Sequence, residues 1–189
     1  MKHLGGVLTG IVATLLLMGC AAPQQVTGDT THNGMDHANM ANTADGDAFD
    51  LQFLDGMIVH HEGAIAMGQE AIQKGEHEEL RALGEEIVAA QSSEVKQLQA
   101  WRDLWFPGAA QTPTEEMEMG EMAVVAVAGK SYDHSFMEAM ISHHQGALTM
   151  AQAALEKSGR SELRDFAQNV IDAQTSEIEQ MRTWMDAWY

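Results

Sequence analysis

A chain of 189 residues with a formal charge of −18 is long enough for one domain once export and tail segments are set aside. That charge works against nucleic acid and anionic lipid as partners, and it attracts cations. The single cysteine, Cys20, excludes an intramolecular disulfide and a thiolate metal cluster, so an exported fold must rest on its core, or on core and metal together.

Residues 1–19 combine Lys2, an apolar run to Leu17 and a small residue before Cys20, the pattern of an export signal. The run is too short and too Gly-rich to favour a membrane span. "LMGC" at 17–20 resembles the lipobox of bacterial lipoproteins, which implies a protein lipidated at Cys20 and tethered to a membrane in the periplasm or at the cell surface. Met18 is unusual at its position, so an ordinary signal peptide is the alternative. Residues 20–48 are rich in Thr, Asn, Asp, Gly and Gln and read as a disordered tether. Within it His32, Met35, His37 and Met40 alternate in a way that lets a flexible segment capture a soft ion.

Folded sequence is expected over 49–189. One helix runs from about Asp50 to Lys74 and is closed by Gly75; a second runs from about Glu78 to Trp105 and is stopped by Pro107 and Gly108. The connection 106–132 carries Met117, Met119 and Met122, a second auxiliary thioether cluster. A third helix runs from about Asp133 to Lys157, with Gly159 as its stop, and a fourth from about Ser161 to Trp188.

Residues 49–105 and 133–189 are two copies of one helical hairpin. "MIVHHEGAIAM" at 57–67 returns as "MISHHQGALTM" at 140–150, and a constant offset of 83 (143 minus 60) also pairs Phe53 with Phe136, Gln91 with Gln174, Glu94 with Glu177 and Trp101 with Trp184. With a step of about 100° per residue, Phe53, Met57, His60, Ala64, Met67 and Ala71 share one face. His61 lies on the flank of the same stripe with Leu54, Gly68 and Ile72, whereas Glu62, Gln69 and Gln73 lie opposite. On the second helix Gln91, Glu94, Leu98, Trp101 and Trp105 form a seam of three-four spacing. Glu94 occupies a position where an apolar residue belongs, so its carboxylate needs a partner, and the facing histidines are the nearest candidates.

The expected architecture is all-α, a ferritin-like four-helix bundle. A helix of about 25 residues is roughly 38 Å long, and about 27 extended residues can span more than twice that. The connection 106–132 therefore permits an up-down-down-up bundle with one crossover. Helices 1 and 3 would run antiparallel, and their histidine pairs would meet at one height. An up-down-up-down bundle is the weaker alternative.

Imidazole suits Cu, Zn, Ni and Fe, while thioether sulfur favours Cu(I). A Met at helical spacing is ordinarily core filling, and a lone buried His is ordinarily just hydrogen-bonded. Adjacent histidines flanked by Met at matching offsets in both halves turn the reading toward metal. The candidate ligands are Met57, His60, His61, Met67, Met140, His143, His144 and Met150. Glu94, Glu177, Gln91 and Gln174 are candidates for orienting them. Copper is the expected ion, with silver as its soft analogue, and zinc or iron fits the donor set less well.

The element "MIxHHxGAxxM", followed by "LRxL/F…QxSE-I/V…W", resembles the bacterial secreted family known as domain of unknown function 305. The resemblance covers about 49–189 and implies a ferritin-like fold of repeated His-His hairpins; some members look like periplasmic copper-binding proteins of copper tolerance. The family's His-His motif falls on His60, His61, His143 and His144, and its Met positions on Met57, Met67, Met140 and Met150. Glu62 becomes Gln145 in the second copy, so the halves need not bind with equal affinity. No Glu-x-x-His or G-x-S-x-G occurs in the chain, which leaves a di-iron centre and a nucleophilic hydrolase without support. A metal-binding protein, not an enzyme, is expected, used for buffering or tolerance. A ferritin-like metal-dependent oxidase and a non-metal structural or assembly lipoprotein stay open as alternatives.

Overall fold

The computed structural model describes residues 37–113 and 123–189, with side chains from residue 45 onward. The signal segment 1–19, Cys20, His32, Met35, Met117, Met119 and Met122 lie outside the described residues. So do the side chains of His37 and Met40.

Four helices and no strand occur among the described residues: α1 His37–Lys74, α2 Glu78–Trp105, α3 Tyr132–Lys157 and α4 Ser161–Trp188. α1 pairs with α2, α3 with α4, and the hairpins meet along α1 and α3. The central pair is antiparallel. Asp133, at the start of α3, accepts hydrogen bonds from the backbone N–H of Glu76 (2.8 Å) and of His77 (2.9 Å), just beyond the end of α1. Arg160, just beyond α3, lies 3.2 Å from Asp50 of α1. This is the up-down-down-up order, with 106–131 as the crossover between hairpins.

α1 begins well before the expected start near Asp50, so the expected tether over 20–48 gives way to helix from His37 onward. Once a helix is nucleated by its packed part, each further residue adds one hydrogen bond at little cost. Ala41, Ala44 and Ala48 do not resist that extension, and Asp47 pairs with Arg160 at 2.7 Å. The end of α1 also differs from a left-handed glycine cap: positive φ occurs at Gly108 and Gly129 but not at Gly75. Gly75 is needed for closeness, since its N–H donates to the Ala71 carbonyl at 2.8 Å and a Cβ there would sit 2.7 Å from that oxygen.

The start of the crossover is fastened along the first hairpin by Asp55. Its carboxylate pairs with Arg102 and accepts the N–H of Thr112 at 2.8 Å and the Thr112 hydroxyl at 3.0 Å. Both ends of the bundle are closed by equivalent clasps. At one, Asp133 takes the His77 ring nitrogen Nδ1 at 2.8 Å while that ring stacks on Trp188 with centroids 3.9 Å apart. At the other, 83 positions away in each case, Asp50 faces Arg160, whose guanidinium lies 4.6 Å over the Trp105 ring. Burial, the first cause, pushes the Asp50 carboxyl up despite Ser158 and Arg160 nearby.

The interior divides into two apolar clusters. One holds Phe53, Leu54, Met57 and Ile58 of α1, Val95 and Leu98 of α2, Ala147, Met150, Ala151 and Ala154 of α3, and Leu163, Phe166, Ala167 and Val170 of α4. The other holds Ala64, Met67 and Ala71, then Leu80, Leu83 and Ile87, then Phe136, Met137, Ala139 and Met140, with Met181. On each helix polar residues lie between the two sets: His60 and His61, Gln91 and Glu94, His143 and His144, Gln174 and Glu177.

Candidate metal centre

This polar layer is where the sequence reading placed its site. His60, His61, His143 and His144 are all 0 % exposed, as are Met57 and Met140, while Met67 and Met150 are nearly so. Antiparallel packing decides which methionines share a level. Met57 joins Met150 in one apolar cluster, and Met67 joins Met140 in the other. Each face of the histidine layer therefore has one thioether from each repeat. That exchange between repeats cannot be read from either motif alone, because it depends on the direction in which α1 and α3 run.

The central pair obeys the internal twofold. His60 Nε2 donates to the backbone carbonyl of His143 at 3.0 Å, and His143 Nε2 donates to that of His60 at 3.1 Å. Their ring centroids are 3.7 Å apart. A carbonyl oxygen can only accept, so each ring has its proton on Nε2 and, when neutral, its lone pair on Nδ1. Helix carbonyls are normally taken by the next turn, but each has a second lone pair for such a donor.

The outer pair reaches the second helix of its own hairpin. His144 Nε2 donates to Glu177 Oε2 at 2.6 Å, and His61 Nε2 lies 2.9 Å from Glu94 Oε2. The His61 contact is at ion-pair distance though off the ideal N–H direction. A carboxylate so close again places the proton on Nε2. The carboxylates thus find the partners that their seam positions demanded. Successive contacts form a series: Glu94, His61, His60, His143, His144, Glu177, with adjacent rings 6.2 Å apart in the first repeat and 6.1 Å in the second.

In each ring, when neutral, the nitrogen that does not carry the proton is Nδ1. For His61, His143 and His144 that atom is buried and has no hydrogen-bond partner among the described residues. Burial, and then the neighbouring His60, His144 and His61, hold His143 far below its ordinary range, at about 2. It is a neutral imidazole at any moderate pH, the form that binds metals. Among the described residues no three His, Cys, Asp or Glu side chains are gathered into a ready-made metal cage. What the layer offers an ion is imidazole nitrogen supplemented by thioether sulfur from Met57, Met150, Met67 and Met140, a donor set that fits a soft ion.

Gln91 and Gln174 also belong to the layer. Each is 3 % exposed, with an Oε1 that has no partner among the described residues. The repeat pointed to both. The clasp residues Asp50 and Asp133 and the anchor Asp55 were not singled out in the sequence, although the offset of 83 relates the first two.

Known proteins share this architecture. CopM in its Cu(I)-bound form is 32 % identical, with 74 % of this chain and 97 % of that chain covered and a TM-score of 0.62. CopM in its apo form is 31 % identical over 74 % of this chain and 98 % of that one, at 0.63; CopM structures with Ag and with Cu(II) align similarly. A DUF305 protein from Streptomyces coelicolor, described as secreted, is 25 % identical over 72 % of this chain and 91 % of its own, with a TM-score of 0.61. No curated protein matches the chain by sequence. These likenesses support a metal-related role. No helix among the described residues is long and apolar enough to cross a membrane. The profile of the family described as Domain of unknown function (DUF305) matches residues 18–102 and 107–185, and the chain is a member of that family.

Proposed function

We propose that the protein is an exported copper-binding protein that buffers or sequesters the ion, with silver as a surrogate, and that it is not an enzyme. The observation that carries this reading is the way the Nε2 atoms of the four imidazoles are held. Metal-binding histidines characteristically donate their second N–H to a carboxylate or a backbone carbonyl, which fixes the ring and raises the basicity of the other nitrogen. His60 and His143 donate to carbonyls, His144 donates to a carboxylate and His61 lies at ion-pair distance from one, while the buried Nδ1 atoms of His61, His143 and His144 have no hydrogen-bond partner among the described residues. The thioethers of Met57, Met67, Met140 and Met150 would complete the coordination and favour the cuprous state. The CopM structures with Cu(I), Cu(II) and Ag support the same reading.

The test is metal analysis of the full chain after equal exposure to Cu, Zn, Fe and Ni, at high salt to suppress ions held only by the acidic surface. Copper should be retained, and replacing His60, His61, His143 and His144 by Gln should abolish its tight binding. Equal retention by that variant would make the histidines core residues and return the protein to a structural role. Retention of paired iron with oxygen consumption would favour an oxidase. The lipobox-like "LMGC" supports a lipid anchor at Cys20, so Cys20→Ala should move the protein from the membrane to the soluble fraction. Unchanged fractionation would remove the anchor.

A further inference from the structure

Gln91 and Gln174 have no evident structural reward. A buried amide oxygen without a partner costs stability, and such atoms are scarce in folded proteins. Here they occur as a pair, at equivalent places in the two repeats, each three residues before the glutamate that touches an outer histidine. Positions three apart on a helix are neighbours on one face.

The site they adjoin has an access problem. All four imidazoles are 0 % exposed, apolar clusters lie on either side of their layer, and the bundle ends are shut by the Asp133–His77–Trp188 and Asp50–Arg160–Trp105 clasps. An ion arriving along the bundle axis would have to cross apolar packing. From the side the layer reaches water at two groups, the side chains of Glu94 and Glu177, which are 26 % and 21 % exposed and contact His61 and His144.

We propose that Gln91 with Glu94, and Gln174 with Glu177, are two equivalent entry steps for a soft metal cation, one per repeat. This rests on the metal-binding reading above and adds the route. The carboxylate captures the hydrated cation at the surface. The amide oxygen, with no protein donor competing for it, replaces a water as the ion sheds its shell, and the ion passes to imidazole nitrogen and thioether sulfur. Oxygen donors hold a soft ion weakly, so they speed transfer in both directions without retaining it. No electron or covalent bond is exchanged.

The test uses the full chain and Ag(I), which avoids any change of oxidation state, with tryptophan fluorescence in stopped flow for rates and chelator competition for affinity. Gln91→Leu with Gln174→Leu removes both oxygens at similar volume and should leave a fold at least as stable, seen as an unchanged or higher melting temperature. Association should slow at least tenfold and dissociation by a similar factor, leaving Kd within threefold. Gln91→Leu alone leaves the second entry open, so the association rate should fall about twofold. Glu94→Gln with Glu177→Gln keeps an acceptor for each imidazole and removes the charge, so association should slow and lose much of its salt dependence. A parental association rate in the double Leu variant would overturn the proposal, as would a loss confined to dissociation, which would make the glutamines ligands of the bound state. If the quadruple His variant binds Ag(I) as the parent does, the metal reading itself fails; if it loses Ag(I) while the double Leu variant keeps the parental association rate, only the entry route falls.

Discussion

His143 shows how burial keeps a titratable side chain neutral and stores a pH dependence in doing so. In the unfolded chain a histidine titrates near 6.5, whereas in the folded protein burial and the facing His60, His61 and His144 lower it to about 2. Between those values the unfolded chain binds a proton that the folded chain refuses. Stability is therefore full above about pH 6.5 and falls as pH drops toward 2, by up to about 1.4 kcal/mol per pH unit for this one group. Urea midpoints of the metal-free protein should decline from pH 7 to pH 5, and less steeply in His143→Gln; equal slopes would refute the assignment. The methionines divide by oxidation state. Met57→Leu with Met140→Leu nearly conserves volume and should weaken Cu(I) more than Cu(II), as read by competition titrations in each state; equal losses would leave the two as packing residues. Periodicity alone placed His60, His61 and their copies on the core face, and the misplaced charge of Glu94 marked its partner. The reciprocal bonds to the His60 and His143 carbonyls were not legible, because backbone acceptors leave no mark in a side-chain pattern.

At the scale of the helices the two repeats differ where they look most alike. α1 and α2 approach through Gly68 and Gly84, whereas the equivalent positions in α3 and α4 are Ala151 and Ala167. A Cβ on Gly84 would lie 2.8 Å from the Gly68 carbonyl oxygen and 3.2 Å from the Ala71 Cβ, and one on Gly68 would lie 3.0 Å from the Gly84 oxygen. Backbone cannot swing aside as a side-chain end can, so Gly84→Ala forces the helices apart. Its intrinsic helix gain of about 1 kcal/mol is set against overpacking of about 1–3 kcal/mol, and a net loss is expected in thermal or urea unfolding. A stabilised variant would show that the crossing tolerates the methyl. Helix ends were legible where a stop is chemical, as at Pro107 and Gly108 after α2. The start of α1 was not, since residues 37–48 lack an apolar stripe and contain Asn, Thr, Asp and Gly, all weak helix formers. What continues the helix there is attachment to a packed segment and the distant Asp47–Arg160 pair, which local sequence cannot display.

For the whole molecule, duplication made the architecture readable: two amphipathic hairpins and a connection long enough to cross the bundle leave few arrangements, and antiparallel α1 and α3 bring the histidine pairs to one height. The clasps that close the ends were harder to foresee, because Asp133 and His77 meet across 56 residues and nothing local marks either as half of a pair. The assembled layer joins both hairpins through His60 and His143, so an ion bound there should stabilise all four helices as one unit. A ligand that binds only the folded state adds about 2.7 kcal/mol at a free concentration one hundred times its Kd. The unfolded chain still holds adjacent histidines and many thioethers that attract copper, so the observed gain should be smaller than that, yet positive. Unfolding followed by helix ellipticity should then shift to higher temperature with Ag(I) or Cu(I) in a single transition. Replacing His143 and His144 by Gln should remove most of the shift for both hairpins, because the central pair is shared. Two separate transitions, or a shift unchanged by that replacement, would mean that the hairpins bind their ions independently and that the twofold layer is not one site.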